Sequence, residues 1–560
     1  MPKARGQVTG PDPIKGTAQS DYIHISGLKN DDMVPDAPWD HSVYGYGGND
    51  FFRFNPIIDW SFMSTRFDRS IYLNGGSGTD HVSLQDSHHP VTINLAGGTG
   101  MVHIPPVSWW TPEDGWQNSE MVIEMTFYSV ENATGGAGDD HITGDGNANH
   151  LSGAAGNDTL LGGGGDDTLL GGDQNDSLEG GDGNDTLNGG NHDDFLSGDD
   201  GHDNMEGGHG NDSIWGGEGQ DTLEGGTGDD ELYGGDGFDF AIFDTNGDMT
   251  VDLQGGIAWG GGLGIDVLHS IERVVTGDGD DEVIGTDEAN IMWMGAGDDT
   301  VYGFGGIDNI KGHAGDDLLL AGNGNDSVYG GEGHDRVYGE NGKDMLSGGD
   351  GNDTMNGGGG NDQMYGGDGN DRLLGDFGND TLEGDDGHDF IDAGVGDDMI
   401  VGGSGNDTIH AGAGDDTIHT GSGLDVIHYD NTPGVGIDTI YDLNIWGDEF
   451  AFESGFFYDF DEPVDNLNYL VAVQTGQDSL LFATRSFATL PDGVAGDAVL
   501  VPDVQAIAII KDVNAALLNQ QIANGDIFHT EVGVKQPDPS WEFELPVVEV
   551  PVIAEEWSMV

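Results

Sequence analysis

The chain has 560 residues, 102 of them glycine, and carries 104 acidic against 15 basic side chains, a formal net charge of -89. That excess excludes direct attraction to nucleic acid or to an anionic membrane surface and favours cations. Cysteine is absent, so neither a disulfide framework nor a thiolate metal site can form, and no stretch approaches the ~18 apolar residues of a membrane-spanning helix.

Residues 1–53 begin MPKARGQVTGPDPIKG, a small positive cluster with no apolar run behind it, so a Sec-type signal peptide is not expected. GTAQSDYIH (16–24), GYGGNDFFR (45–53) and GGSGTDHVS (75–83) place Asp21, Asp50 and Asp80 sixth in a nine-residue pattern that becomes strict further on. They predict a degenerate repeat cap. Residues 54–134 read as a β-rich insert. It carries Trp60, Trp109, Trp110, Trp116, His88, His89, Glu113 and Asp114. Aromatics beside carboxylates suit a carbohydrate or catalytic cleft, but a small β-core with a surface loop is the simpler expectation, since roughly 80 residues is small for a whole enzyme.

Residues 135–242 then divide into twelve consecutive nonapeptides, and residues 276–428 into seventeen, with no insertion in either array. Of these 29 units, 27 have aspartate in sixth place; the exceptions, Asn149 and Asn290, each stand in the second unit of an array. The eighth place is apolar in all 29, Ala241 being the weakest member, and the fourth is glycine in 25. Between the arrays, 243–275 reads as a β-rich linker. Its TVDLQGGIAWGGGLGIDVLHSIERVVTG (250–277) resembles VTINLAGGTG…FYSVENATG (91–135): each leads from an alternating strand through glycine into an array. Both are expected to cover the open end of a roll, which is otherwise an unpaired edge.

The spacing has a physical reading. Glycines at places one, two and four allow positive φ and tight turns. The residues around place eight form a short strand whose middle side chain points inward. Turn and strand alternating at constant length wind into a flattened coil of two units, 18 residues, stacked at roughly 4.8 Å, so the arrays would be about 29 Å and about 41 Å long. One buried aliphatic per nine residues returns far less than ordering nine residues costs, and stacked aspartates repel. A hard divalent cation between turns supplies what is missing, and calcium accepts six to eight carboxylate and carbonyl oxygens in flexible geometry.

GGDGNDTLN (180–188), GGDGNDTMN (348–356) and GGSGNDTIH (402–410) match G-G-x-G-x-D-x-U-x at every defined place. The chain here resembles the RTX, or hemolysin-type calcium-binding, repeat family. The resemblance implies an all-β protein with two right-handed parallel β-rolls, β-rich inserts and capping segments. It also implies calcium held by sixth-place aspartates and turn carbonyls, each ion shared by units two apart. The implied ligands are Asp140, Asp158, Asp167, Asp176, Asp185, Asp194, Asp203, Asp212, Asp221, Asp230 and Asp239 in the first array. In the second they are Asp281, Asp299, Asp308, Asp317, Asp326, Asp335, Asp344, Asp353, Asp362, Asp371, Asp380, Asp389, Asp398, Asp407, Asp416 and Asp425. About 25 Ca2+ ions would be bound, at two oxygen-rich turns per ion.

After residue 428 the glycine period fades, while 434–452, 470–484 and 504–513 still alternate apolar and polar. Residues 429–530 are expected to form a closing β cap, with a short helix at 514–523. By resemblance the tail, 531–560, carries an uncleaved type I secretion signal.

No catalytic motif is recognisable: H-E-x-x-H, G-x-S-x-G, a P-loop and a dinucleotide fingerprint are all missing from the sequence. His410 and His428 are 18 apart and should stack on one face, where two imidazoles could share a transition metal; His419 lies on the opposite face, and plain solvent-facing positions are the simpler reading. Ile284, Tyr302, Leu320 and Tyr338, with Trp215 and Tyr233, predict an exposed ninth-place stripe for a partner or another part of the chain. Regular threonine ranks, as ice binding needs, break at Phe195. The expected function is a secreted, extracellular or cell-surface calcium-binding protein that folds on meeting external Ca2+ and serves a surface or matrix structure. Its expected partners are calcium, the type I secretion apparatus, and another copy or a surface component. An RTX exoenzyme with its site in 54–134 or 429–530, and a self-assembling surface-layer protein or adhesin, are the alternatives.

Overall fold

The computed structural model describes residues 80–83, 91–95, 130–429, 436–444 and 447–450 in full; outside them, the strands named below are described by backbone course and pairing alone. Every nonapeptide contributes a strand that begins at its seventh place. In most units the strand runs on through the first three places of the next unit, as in Thr159–Gly164, Thr168–Asp173 and Ser177–Asp182. The sequence predicts three residues only, a length seen at Thr408–His410 and Thr417–His419. The longer strands survive a glycine at the second place, with φ of 105° at Gly163 and 122° at Gly172, because the chain returns to the ladder there: Gly163 pairs with Gly181 and Gly164 with Asp182.

Strands eighteen residues apart pair in parallel and in register. Leu160 faces Leu178 and then Leu196 in one sheet, while Leu151 faces Leu169 and then Leu187 in the other. Since neighbouring residues of a strand point to opposite sides, the seventh and ninth places face outward and the eighth faces the other sheet. All 29 eighth-place side chains, from Ile142 to Ile427, are at most 2 % exposed, Ala241 included. The core is thus a single column of small aliphatics between two parallel sheets, about 17 turns spanning 132–441. The all-β parallel β-roll expected from the sequence is the observed architecture.

The two arrays stack into one continuous solenoid. In one sheet Thr222–Thr227, Phe240–Phe243, Arg273–Thr276 and Ile291–Trp293 follow one another in parallel. In the other, Glu231–Gly237 pairs with Gly264–His269, which is antiparallel to Ile257–Gly260, itself antiparallel to Met249–Asp252, which pairs in parallel with Glu282–Ile284. Three strands stand where an ordinary coil has one. The insert before the first array has the same topology: Arg69–Asn74, Gly115–Tyr128, Thr99–Thr111, Val91–Asn94 and His141–Thr143 lie side by side.

Contrary to the sequence-based expectation, neither insert covers an open end. Each is paired on both sides, because its last strand reaches back to the preceding coil and its first strand reaches on to the next. On the opposite sheet the stack continues through Tyr22–Ser26, Phe51–Asn55, His81–Ser83 and Asn132–Thr134, so the isolated degenerate units lead into coils as well. At the far end Asp438–Tyr441 pairs with Thr417–His419 and Val504–Ile510, and Glu449–Phe452 with Val426–Tyr429 and Phe528–Thr530. The expected helix at 514–523 and the tail at 531–560 lie outside the described residues, as do Asp21 and Asp50 and the side chains of Trp60, Trp109, Trp110, Trp116, His88, His89, Glu113 and Asp114. Among the described residues, no helix is long and apolar enough to cross a membrane.

Candidate metal sites

Between strands, places four to six carry the chain from one sheet to the other. The fourth-place backbone lies almost on the fourth-place carbonyl one coil earlier: a Cβ on Gly360 (φ 151°) would stand 1.3 Å from the Gly342 oxygen. No side chain fits there without moving backbone. The first place is different. Contrary to expectation its glycines do not take positive φ; they keep space for oxygen atoms. A Cβ on Gly162 would meet Asp167 Oδ2 at 2.4 Å and the Gly180 carbonyl at 2.6 Å, and one on Gly330 would meet Asp335 Oδ2 at 2.2 Å and the Gly348 carbonyl at 2.6 Å. A carboxylate from one turn and a carbonyl from the next coil therefore converge beside each such glycine.

The 27 sixth-place aspartates are all at most 4 % exposed. All but Asp140 and Asp281 turn their Oδ1 toward the preceding coil, where it accepts the N–H of the sixth-place residue eighteen positions back; in those two, the first of each array, it accepts the N–H of Val91 and of Met249. Asp158 accepts from Asp140 at 2.6 Å, Asp185 from Asp167 at 2.7 Å, Asp371 from Asp353 at 2.8 Å and Asp425 from Asp407 at 3.0 Å. The second oxygen, Oδ2, is buried without a hydrogen-bond partner in 26 of them, from Asp158 to Asp425. A buried anionic oxygen without a partner is costly, and here it recurs in 26 of the 29 units, along both edges of the roll.

These carboxyl groups resist ionisation while no cation is near. Burial, reinforced by neighbouring carboxylates and opposed by the backbone N–H, lifts Asp176, Asp299 and Asp416 from 3.8 to about 8. Asp317, Asp344 and Asp380 reach about 7 for the same reasons. A divalent cation reverses that balance by pairing with the charged form. The donor set is oxygen only, carboxylate and backbone carbonyl, which suits hard calcium rather than a softer transition metal. The residues present therefore fit Ca2+.

The fifth place holds a feature that the sequence reading missed. Its side chain accepts the N–H of the fifth-place residue one coil on, in an exposed ladder running Asp298, Asp316, His334, Asn352, Asn370, His388 and Asn406 at 2.7–2.9 Å. The excess of Asn, Asp and His before the sixth-place aspartate was the signal. The seam between arrays follows the same logic: Asp266 Oδ1 accepts the Asp230 N–H at 3.0 Å and Glu272 Oε2 that of Asp239 at 3.1 Å, so the acid of S-I-E-R stands in a sixth place.

Compared with known families, the chain matches the RTX calcium-binding nonapeptide repeat in successive, partly overlapping segments that cover 134–241 and 271–427. Both arrays are RTX repeats. No curated protein matches the chain. The aligned aspartates, the glycine-lined oxygens and the aliphatic column are thus the RTX pattern seen from inside, and RTX repeats imply Ca2+ binding.

Other candidate residues are placed differently from one another. His410 and His428 stack with ring centroids 4.4 Å apart and planes 11° off parallel, while His419 lies on the opposite sheet against Tyr441 at 4.6 Å. No group of three metal-ligating His, Cys, Asp or Glu side chains occurs among the described residues. The ninth-place stripe is only partly exposed. Trp215 is open and stacks on Tyr233 at 4.0 Å, which stacks on His269 at 4.4 Å. Ile284 and Leu320, expected on the surface beside Tyr302 and Tyr338, are instead buried at 1 % and 6 % exposure.

Proposed function

We propose that this protein is an exported RTX roll that completes its fold on extracellular calcium and acts as a structural component of a surface or matrix, without catalysis. The observation that carries this reading is the series of 26 buried Asp Oδ2 atoms without hydrogen-bond partners, ten in the first array and sixteen in the second. A roll with that many uncompensated anionic oxygens is stable when divalent cations fill the edges and unstable when they are withdrawn.

Extracellular-type sites with dissociation constants of about 10⁻⁴–10⁻³ M stay empty at cytosolic calcium levels and fill outside. Ligand linkage then draws the chain into the roll after export, which suits passage through a type I channel. The 26 sixth-place aspartates from Asp158 to Asp425 whose Oδ2 lacks a hydrogen-bond partner would be the ligands with turn carbonyls, and calcium supplies the charge that lets stacked carboxylates sit one coil apart. Far-ultraviolet circular dichroism tests this. The chelated protein is expected to lose most of its β signal and to regain it in millimolar calcium. Retention of the full signal in chelator would overturn the reading.

A further inference from the structure

We propose that Asp140, Asn149, Asn290 and Asp448 are end-stops of the ion ladder: turns that close on their own backbone, take no cation and set where the calcium-bearing series begins and ends. This rests on the calcium reading of the interior turns. In each of the four, a side-chain oxygen turns back to accept the N–H four residues earlier. Gly136 donates to Asp140 Oδ2 at 2.5 Å, Asp145 to Asn149 Oδ1 at 2.7 Å, Thr286 to Asn290 Oδ1 at 2.7 Å and Asn444 to Asp448 Oδ2 at 2.7 Å.

The second side-chain atom is engaged too. Asp140 Oδ1 accepts from the Val91 N–H at 2.6 Å and Asp448 Oδ1 from the Asp425 N–H at 3.1 Å. Asn149 Nδ2 donates to the Glu131 carbonyl at 2.6 Å, and Asn290 Nδ2 to the Glu272 carbonyl at 3.4 Å. All four side chains are buried, at 1–4 % exposure. None has the unpartnered oxygen that marks the interior aspartates. What an interior turn leaves open to a cation, these turns give to the backbone.

Their places in the chain are not scattered. Asp140 and Asn149 stand in the first two units of the first array, Asn290 in the second unit of the second, and Asp448 in the coil after the last repeat. Each adjoins a segment outside the repeat. The two asparagines, 18 residues after Glu131 and Glu272, put an N–H donor where a cation needs oxygen, and a donor dipole repels it. The exceptions in the sixth-place column are thus the column's boundary.

Native mass spectrometry of the full chain at saturating calcium counts the ions and tests this. Asp140→Asn and Asp448→Asn, at opposite ends, are expected to keep the wild-type count, while Asp362→Asn inside the second array loses at least one ion. Circular dichroism confirms that each variant keeps its β signal in calcium. Loss of ions from either end variant comparable to that from Asp362→Asn would overturn the end-stops, as would an unchanged count in all three. A wild-type chain that retains no ions would overturn the calcium reading instead, so the two failures are distinguishable.

Discussion

Asp362 accepts the backbone N–H of Asp344, eighteen residues earlier, at 2.9 Å, while its own N–H is accepted by Asp380 at 2.8 Å. The sixth-place aspartates inside the arrays are therefore links of a chain running along the edge of the roll, and each such link carries one oxygen bound to backbone and one buried without a hydrogen-bond partner.

Asp362→Ala would remove both functions. The Asp344 N–H would be left buried without its acceptor, a loss of about 1–3 kcal/mol, and a proposed ligand would go with it. The midpoint of a calcium titration followed by circular dichroism is expected to rise several-fold. A midpoint equal to wild type would show that this side chain neither binds calcium nor secures the turn.

Two adjacent glycines should behave oppositely. Gly360 has φ 151° and its added Cβ would lie 1.3 Å from the Gly342 carbonyl oxygen, whereas a Cβ on Gly359 meets nothing closer than 3.6 Å. Gly360→Ala is expected to disrupt the turn and lower the unfolding temperature of the calcium-loaded protein markedly. Gly359→Ala should stay within about 0.5 kcal/mol of wild type, the range of benign surface changes.

The pH response should reverse sign with calcium. In the metal-free roll burial raises the sixth-place carboxyls above 3.8, Asp398 to about 6 and Asp176 to about 8. A group whose folded pKa lies above its unfolded value stabilises the fold at low pH and loses that contribution as pH rises through the folded pKa. Metal-free protein should accordingly gain β signal as pH falls from 8 toward 5, short of the isoelectric point near 4.1. Calcium affinity should fall over the same window, because protons compete for the carboxylates. Dichroism at several pH values, with and without calcium, measures both slopes.

Asn370 accepts the His388 N–H at 2.9 Å and its own N–H is accepted by Asn352 at 2.8 Å, all on the exposed edge. Asn370→Ala breaks one rung but leaves that N–H to water. A loss of about 0.5–1.5 kcal/mol is expected in calcium, with the ion count unchanged. A drop in ion count would place the fifth position among the ligands.

Much of this arrangement was legible because a strict period turns sequence into geometry. Leu160, Leu178 and Leu196 could be set in one column and Asp158 beside Asp176 from spacing alone, and both placements hold. Strand length was not legible, since it depends on a positive φ at the second place that glycine permits and Ala154, Asp199 and Glu340 also adopt. Nor was the role of first-place glycine, which answers to an oxygen from the next coil rather than to its own torsion angles. The fifth-place ladder escaped notice because Asn, Asp and His look alike only as hydrogen-bond acceptors. The burial of Ile284 and Leu320 depends on what lies across their face, which periodicity does not encode.

The strands Gly264–His269, Ile257–Gly260 and Met249–Asp252 occupy one sheet between Glu231–Gly237 and Glu282–Ile284, making four strand spacings where the regular coil needs two. The facing sheet passes the same stretch without additions, through Phe240–Phe243 and Arg273–Thr276. One wall of the column is therefore longer than the other by about 10 Å at this level. The insert that precedes Asp140, built to the same plan in the same sheet, adds the same two spacings a second time, while the facing sheet again passes without additions through His81–Ser83 and Asn132–Thr134.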